Sequence, residues 1–226
     1  EAILFVRRGR LESQITYTRL CQISNRVARG LMDMGLKKGE RVILFMPKCV
    51  EQVLLHLGIQ KVGAISVILN PGFKKDEMDY FIKDTDAKIV FAGKKEEVLI
   101  RSIDEKRLIL SIDTETPLTE GKLFPGSSSQ LFDAEGSSDD PAILIYTSGT
   151  TGQPKGAILT QQNLIQDVKN IIQIWEITER DVLCHALPLF HIHGLCFALH
   201  TSLIAGVKMV MSDEFSPDTV IDILSR

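Results

Sequence analysis

The sequence predicts a doubly wound α/β fold, with largely parallel sheets and helices on both of their faces. Short apolar runs rich in Val, Ile and Leu alternate with stretches of helical periodicity, the order that builds βα units around a parallel sheet. A hydrophobic content of 44% across 226 residues is enough for one large or two small packed cores.

The elements follow in order. Leu20, Ile23, Val27, Leu31 and Met34 recur at spacings of three and four, and Gly35 supplies the stop of a first helix. "RVILFM" reads as a buried strand. "PKCVEQVLLHLGIQKVG" then places Val50, Val53, Leu54 and Leu57 on one helical face, and "AISVIL" is a second strand. Next come a short amphipathic helix, "KKDEMDYFIKDT", a strand, "AKIVFA", a helix, "EEVLIRSI", and a strand, "RLILSI". Beyond the strand "PAILIY", "KGAIL" reads as another strand. Thr160 caps a helix whose Leu164, Ile165, Val168, Ile171, Ile172 and Trp175 face one way. Near the end, "FSPDTVIDILSR" starts a helix, with Ser216 as N-cap, Pro217 at the first position and Val220, Ile223 and Leu224 on one face.

The periodicity lapses between residues 113 and 140, a Ser-, Gly-, Asp- and Pro-rich connection in which Leu123, Phe124, Leu131 and Phe132 are the expected anchors. This suggests a first α/β lobe over 1–136, including the connection 113–140, and the start of a second over 137–226. The sequence opens on Glu1 without a methionine and stops soon after its last helix begins, so a longer protein is expected. No internal repeat is evident.

A net charge of -3, from 26 basic and 29 acidic residues spread along the chain, leaves no basic block to neutralise nucleic-acid phosphates. The longest apolar runs reach about six residues, against the roughly 20 of a membrane span. Cys21, Cys49, Cys184 and Cys196 lie far apart, which suits reduced, buried thiols and a cytoplasmic location; Cys21 and Cys49 read as packing residues.

The stretch "YTSGTTGQPKGAILT" joins two strands. Glycines at 149, 152 and 156 permit positive φ and leave amides uncovered, so successive N–H groups can converge on one anion. Thr147, Ser148, Thr150 and Thr151 add hydroxyls for phosphate oxygens, Thr151 also for a magnesium ion, and Lys155 adds positive charge. The stretch is not the nucleoside-triphosphate loop GxxxxGK[ST]: counted from Gly149, Pro154 stands where glycine is required and Gly156 follows Lys155.

"YTSGTTGQPKG" resembles the phosphate-binding signature of the adenylate-forming superfamily, which includes acyl-CoA synthetases, luciferases and the adenylation domains of peptide synthetases. "ITYTRL", "LKKGERVILFMPKC", "KVGAISVILNPGF" and "LPLFHIHGL" occur in the order such enzymes show, so the resemblance covers nearly the whole chain. It implies that a carboxylate attacks the α-phosphate of ATP, releasing pyrophosphate, and that the acyl adenylate passes its acyl group to coenzyme A. Thr147, Ser148, Gly149, Thr150, Thr151, Gly152 and Lys155 would hold the nucleotide phosphates, with amides and hydroxyls fixed in advance stabilising the developing charge. Gln161 departs from the histidine many members carry after the capping threonine. Further motifs of such enzymes, for adenine, ribose and the adenylation lysine, do not occur before Arg226, so these residues alone are expected to fold without turning over substrate.

"VLCHALPLFHIHGLCFALH" gathers Cys184, His185, His191, His193, Cys196 and His200. Their spacing is not that of a zinc site, and buried or hydrogen-bonded histidines are the plainer reading. The resemblance implies that His191 is the catalytic histidine bordering acid and nucleotide, with His193 and Gly194 shaping the same pocket wall. "HIHGL" leans toward acyl-CoA synthetases acting on malonate or other short dicarboxylic acids, a feature that fatty-acid and aryl-acid ligases share. A nucleotide-binding module without turnover and a different acyl acceptor are the alternatives. Trp175 is expected to fill the apolar face of its helix, His56 to sit at a helix surface or core edge, and Lys74, Lys75, Lys94 and Lys95 to be solvated.

Overall fold

Where Val, Ile and Leu run together the chain is extended, and where they recur every three or four residues it is helical. The computed structural model describes residues 1–119, 122–130, 136–147 and 153–225. In chain order these form β1 (Ile3–Arg7), β2 (Arg10–Ile15), α1 (Tyr17–Asp33), β3 (Arg41–Phe45), α2 (Val50–Val62), β4 (Ile65–Ile68), α3 (Lys75–Thr85), β5 (Ile89–Gly93), α4 (Lys94–Arg101) and β6 (Ile109–Ile112). After the long connection come β7 (Pro141–Thr147), β8 (Lys155–Thr160), α5 (Gln161–Ile174), β9 (Val182–His185), a π-helix (His193–His200), α6 (Thr201–Ala205), β10 (Lys208–Ser212) and α7 (Pro217–Leu224).

The strands form two sheets. The larger has the order β6-β5-β3-β4-β7-β8, parallel except for the antiparallel β7–β8 pair. The smaller has the order β2-β1-β10-β9, parallel except for the β1–β2 hairpin. Alternation along β3 explains why both faces of the larger sheet are covered. Val42 and Leu44 join the cluster that includes α1 and α2, while Ile43 and Phe45 join Met78, Phe81 and Ile82 of α3. The α1–α2 cluster also takes in Ile3, Phe5, Met209 and Met211 of the smaller sheet. One core therefore bridges the two sheets. α1 and α2 approach closely because Gly58 has no side chain; a Cβ there would lie 2.4 Å from Val27 Cγ1.

The sheets divide the chain differently from a boundary at residue 136. β7 and β8 extend the sheet begun by β3, and the N-terminal β1–β2 hairpin completes the sheet containing β9 and β10. That hairpin was not foreseen. Its turn is Arg8 and Gly9, both at positive φ (49° and 75°), the backbone a two-residue hairpin requires.

Caps follow the sequence closely. Thr160 Oγ1 accepts from the Asn163 amide, Ser216 Oγ from Thr219 with Pro217 at the first helical position, and Gly63 closes α2 in the left-handed region. The long connection is anchored by buried Leu123 and by Lys122, which pairs with buried Glu51 of α2 at 2.5 Å. Phe124 packs where Gly30 leaves space. The expected anchors Leu131 and Phe132 lie outside the described residues. Among the described residues, no helix is long and apolar enough to cross a membrane.

Four side-chain expectations change. Of the proposed α5 face, Leu164, Val168 and Ile171 are buried, but Ile165 is exposed and Trp175 is 67% exposed. Trp175 is the C-cap of α5, one position beyond the last helical turn that reaches the core. Cys21 is exposed, within 3.6 Å of Lys61 Nζ, because it lies off the buried stripe of α1. His56 is fully buried, because α2 is enclosed on nearly every side. Lys74, Lys75, Lys94 and Lys95 are exposed as expected, with Lys94 paired to Asp113.

Candidate active site

Of the first group of candidate residues, Thr147 ends β7 and Lys155 begins β8. Register pairs Thr147 with Lys155 and Tyr146 with Gly156, so the two ends of the glycine-rich stretch lie side by side, both exposed. Thr147 is the carboxyl end of a strand parallel to β4, and the carboxyl edge of a parallel sheet is where ligands of α/β proteins bind. Ser148, Gly149, Thr150, Thr151 and Gly152 lie outside the described residues. Gly156 is a strand residue without positive φ. Its hydrogen instead leaves room for Leu144 and Tyr146, which a Cβ would meet at 3.3 and 3.4 Å.

Helix α3 holds this hairpin at two points. Tyr146 donates its hydroxyl proton to Asp84 Oδ2 at 2.5 Å, and Tyr80 donates to the carbonyl of Pro154 at 2.8 Å. Burial, and then the bond to Asp84, push the Tyr146 hydroxyl pKa upward. Phe81 packs on Tyr146 with ring centroids 4.5 Å apart. Both strands of the stem are thus tied to one rigid helix. Neither Tyr80 nor Asp84 stood out in the sequence, because a tyrosine at helical spacing reads as ordinary core.

The second group follows β9. His191 and His193 are exposed and Gly194 is buried. Phe190 packs on His191 with centroids 4.5 Å apart, and His193 stacks on Phe197 at 5.1 Å. The turn is very tight at Gly194, where a Cβ would lie 2.1 Å from the carbonyl oxygen of Pro188. The π-helix begins at His193, and such segments often mark functional sites.

Between the sheets, at the carboxyl ends of β3, β9 and β10, lies a cleft of about 440 Å³ lined by Met46, Lys48, Gln52, Leu189, Phe190 and Phe215 among others. Phe190 lines it, whereas His191, His193 and Gly194 do not. Beneath it, Lys48 is 8% exposed and donates to His185 Nδ1 at 2.9 Å, to the His185 carbonyl at 2.8 Å and to the Leu187 carbonyl at 2.8 Å. His185 Nε2 lies 2.8 Å from the Gly194 carbonyl. A carbonyl only accepts and an ammonium only donates, so His185 is the neutral tautomer with its proton on Nε2. Burial lowers the Lys48 pKa to about 7, and burial followed by the nearby Lys48 charge lowers His185 to about 3. Lys48 gave no signal in the sequence beyond its place between a buried strand and a helix start.

A second buried pair lies deeper. His56 and His200 stack with centroids 5.1 Å apart and share an Nε2–Nε2 hydrogen bond of 2.8 Å, while His56 Nδ1 bonds Ser66 Oγ at 2.9 Å. Burial lowers both pKa values, that of His200 to about 4. The ring nitrogens of His185 and His56, and Nε2 of His200, are therefore engaged in hydrogen bonds, whereas His191 and His193 of the histidine-rich segment are exposed. Among the described residues, no group of three or more His, Cys, Asp or Glu converges as a metal site. The candidate magnesium ligand Thr151 lies outside the described residues.

Two mostly parallel sheets flanked by helices, with a cleft at the carboxyl ends of their strands, define a doubly wound α/β fold. The chain belongs to the AMP-binding enzyme family, which matches it over residues 1–226. It is 35% identical to an oxalate–CoA ligase of Arabidopsis thaliana over 87% of its own length and 40% of the relative's. Similarity to 4-coumarate–CoA ligase 3 of the same plant is 28%, over 96% of the chain and 40% of the relative. The solved structure of ATP-bound MatB from Rhodopseudomonas palustris superposes with a TM-score of 0.89 at 34% identity, covering all of this chain and 44% of that one. The chain thus spans about 40% of the length of the curated relatives it matches.

Proposed function

We propose that the full-length protein is an AMP-forming acid–CoA ligase: it condenses a carboxylic acid with ATP to an acyl adenylate and pyrophosphate, then passes the acyl group to coenzyme A. The observation that carries the reading is the β7–β8 hairpin. It sets Thr147 beside Lys155 at the carboxyl edge of a parallel sheet, and membership of the AMP-binding family supports it. In this reading Thr147, Ser148, Gly149, Thr150, Thr151, Gly152 and Lys155 hold the ATP phosphates, and Thr151 is the candidate contact to magnesium. His191 faces the reacting carboxylate, with His193 and Gly194 forming the wall beside it. Positioning and charge stabilisation are the main catalytic demands of such a step.

Short dicarboxylic acids are the first substrates to test, on the strength of "HIHGL" and the 35% identity to an oxalate–CoA ligase. Four free cysteines favour a reducing compartment such as the cytoplasm. The test is incubation of full-length protein with ATP, coenzyme A and a panel of dicarboxylic, fatty and aryl acids, following AMP, pyrophosphate and acyl-CoA. Acid-dependent formation of all three supports the ligase. Tight ATP binding without adenylate points to a binding module, and steady hydrolysis to ADP would rule the ligase out.

A further inference from the structure

We propose that Lys48 is a positioning residue for the acid-binding turn: acting through His185, it fixes Gly194 and so the direction in which His191 and His193 present their rings. The proposal rests on the functional reading above for the identity of the ligand, but its geometry stands on separate observations.

An ammonium group has three protons, and Lys48 Nζ has three acceptors, His185 Nδ1 and the carbonyls of His185 and Leu187. All its donors are engaged within the protein. Lys48 therefore does not serve as a direct ligand for a substrate carboxylate, although it lines the cleft. The acceptors all lie at the end of β9 or just beyond it, whereas Lys48 comes from the β3–α2 connection of the other sheet. The clamp thus locks the start of the turn to the larger sheet. His185 continues it, since its Nε2 proton goes to the carbonyl of Gly194, and that residue is wedged against Pro188. The turn is held at Leu187 by Lys48 and at Gly194 by His185, and His191 lies between those two points.

A buried ammonium is costly to desolvate, and the lowered pKa of Lys48 agrees with that cost. Removing Lys48 would leave His185 Nδ1 and two backbone carbonyls without their donor. The ring would then be free to change tautomer, and the Gly194 carbonyl would lose its fixed partner.

The experiment uses full-length protein and steady-state kinetics with the best acid from the panel. Lys48→Met keeps much of the apolar stem and removes the charge; His185→Asn leaves both carbonyl acceptors of Lys48 in place and cuts the link to Gly194. We expect each variant to raise KM for the acid roughly 10- to 100-fold, with KM for ATP changed less than about threefold. In the double variant the two effects fail to add, as members of one network do. If Lys48→Met does not fold, His185→Asn decides alone. Equal rises in both KM values, or an unchanged acid KM in a wild-type background that shows acid-dependent adenylation, would overturn the clamp. Wild-type protein with no acid-dependent adenylation would instead overturn the functional reading, and this proposal with it.

Discussion

At the tip of the β7–β8 hairpin, tyrosine side chains on the stem and on α3 hold the chain through Asp84 and the Pro154 carbonyl, whereas at the turn after β9 a buried lysine and a neutral histidine hold it. The first arrangement is part-buried and one of its hydroxyls bonds a single carbonyl. The second is buried at the floor of the cleft and relays from one sheet to the other. A single neutral hydrogen bond contributes about 1 kcal/mol, and bonds to charged groups about twice that. The difference predicts that the two halves of the candidate site differ in tolerance: the hairpin, proposed to hold the nucleotide, is expected to survive loss of a contact that the turn after β9, proposed to border the acid, does not.

The sharpest break in the comparison is Gly194→Ala. The new Cβ would meet backbone rather than a flexible side chain, 2.1 Å from the Pro188 oxygen, so a destabilisation of about 3 kcal/mol is expected, at the upper end of overpacking costs. Thermal melting of the full-length protein, against Gly156→Ala as the hairpin counterpart, measures it. Gly156→Ala meets only side chains at 3.3 Å or more and is expected to cost about 1 kcal/mol or less.

Next in size is His56→Leu, which leaves His200 Nε2 without its 2.8 Å partner and is expected to cost about 1–3 kcal/mol. Denaturant titration checks it, and an unchanged midpoint would remove the buried pair from the account of stability.

The pH dependence follows from the same histidines. Their folded pKa values, about 3 for His185 and about 4 for His200, lie below the ordinary 6.5, so between those limits the unfolded chain binds more protons than the folded one. The histidine contribution is complete above about pH 6.5 and falls as pH drops toward 4, whereas that of Lys48, lowered from 10.5 to about 7, is gained at higher pH. Melting temperatures from pH 8 to pH 4 read this directly, and the slope should be shallower in His200→Gln.

Much of the fold was legible in local sequence. Thr160 and Ser216 declared their helices through short capping side chains, and Gly35, at positive φ just past the C-cap Met34, declared the end of α1. What local pattern could not carry was pairing at long range: that residues 3–15 complete a sheet with residues 182–212, and that residues 141–160 extend a sheet begun at residue 41. The same limit explains His56. A helix with no solvent-exposed residue has no surface for a polar face to mark, so periodicity assigned His56 to an edge that does not exist. On the site, the residue types of the glycine-rich stretch and of "HIHGL" announced themselves, while Lys48, Tyr80 and Asp84 act through partners from 62 to 139 residues away in sequence and left no local mark.

The separation of the two arms is tested most directly by measuring both KM values in full-length Tyr80→Phe and Lys48→Met. Tyr80→Phe removes only the bond to Pro154, and is expected to raise KM for ATP about fivefold while leaving the acid KM within about twofold. Lys48→Met is expected to show the reverse pattern. If both variants move both constants together, the hairpin and the turn are not held independently, and the account is wrong.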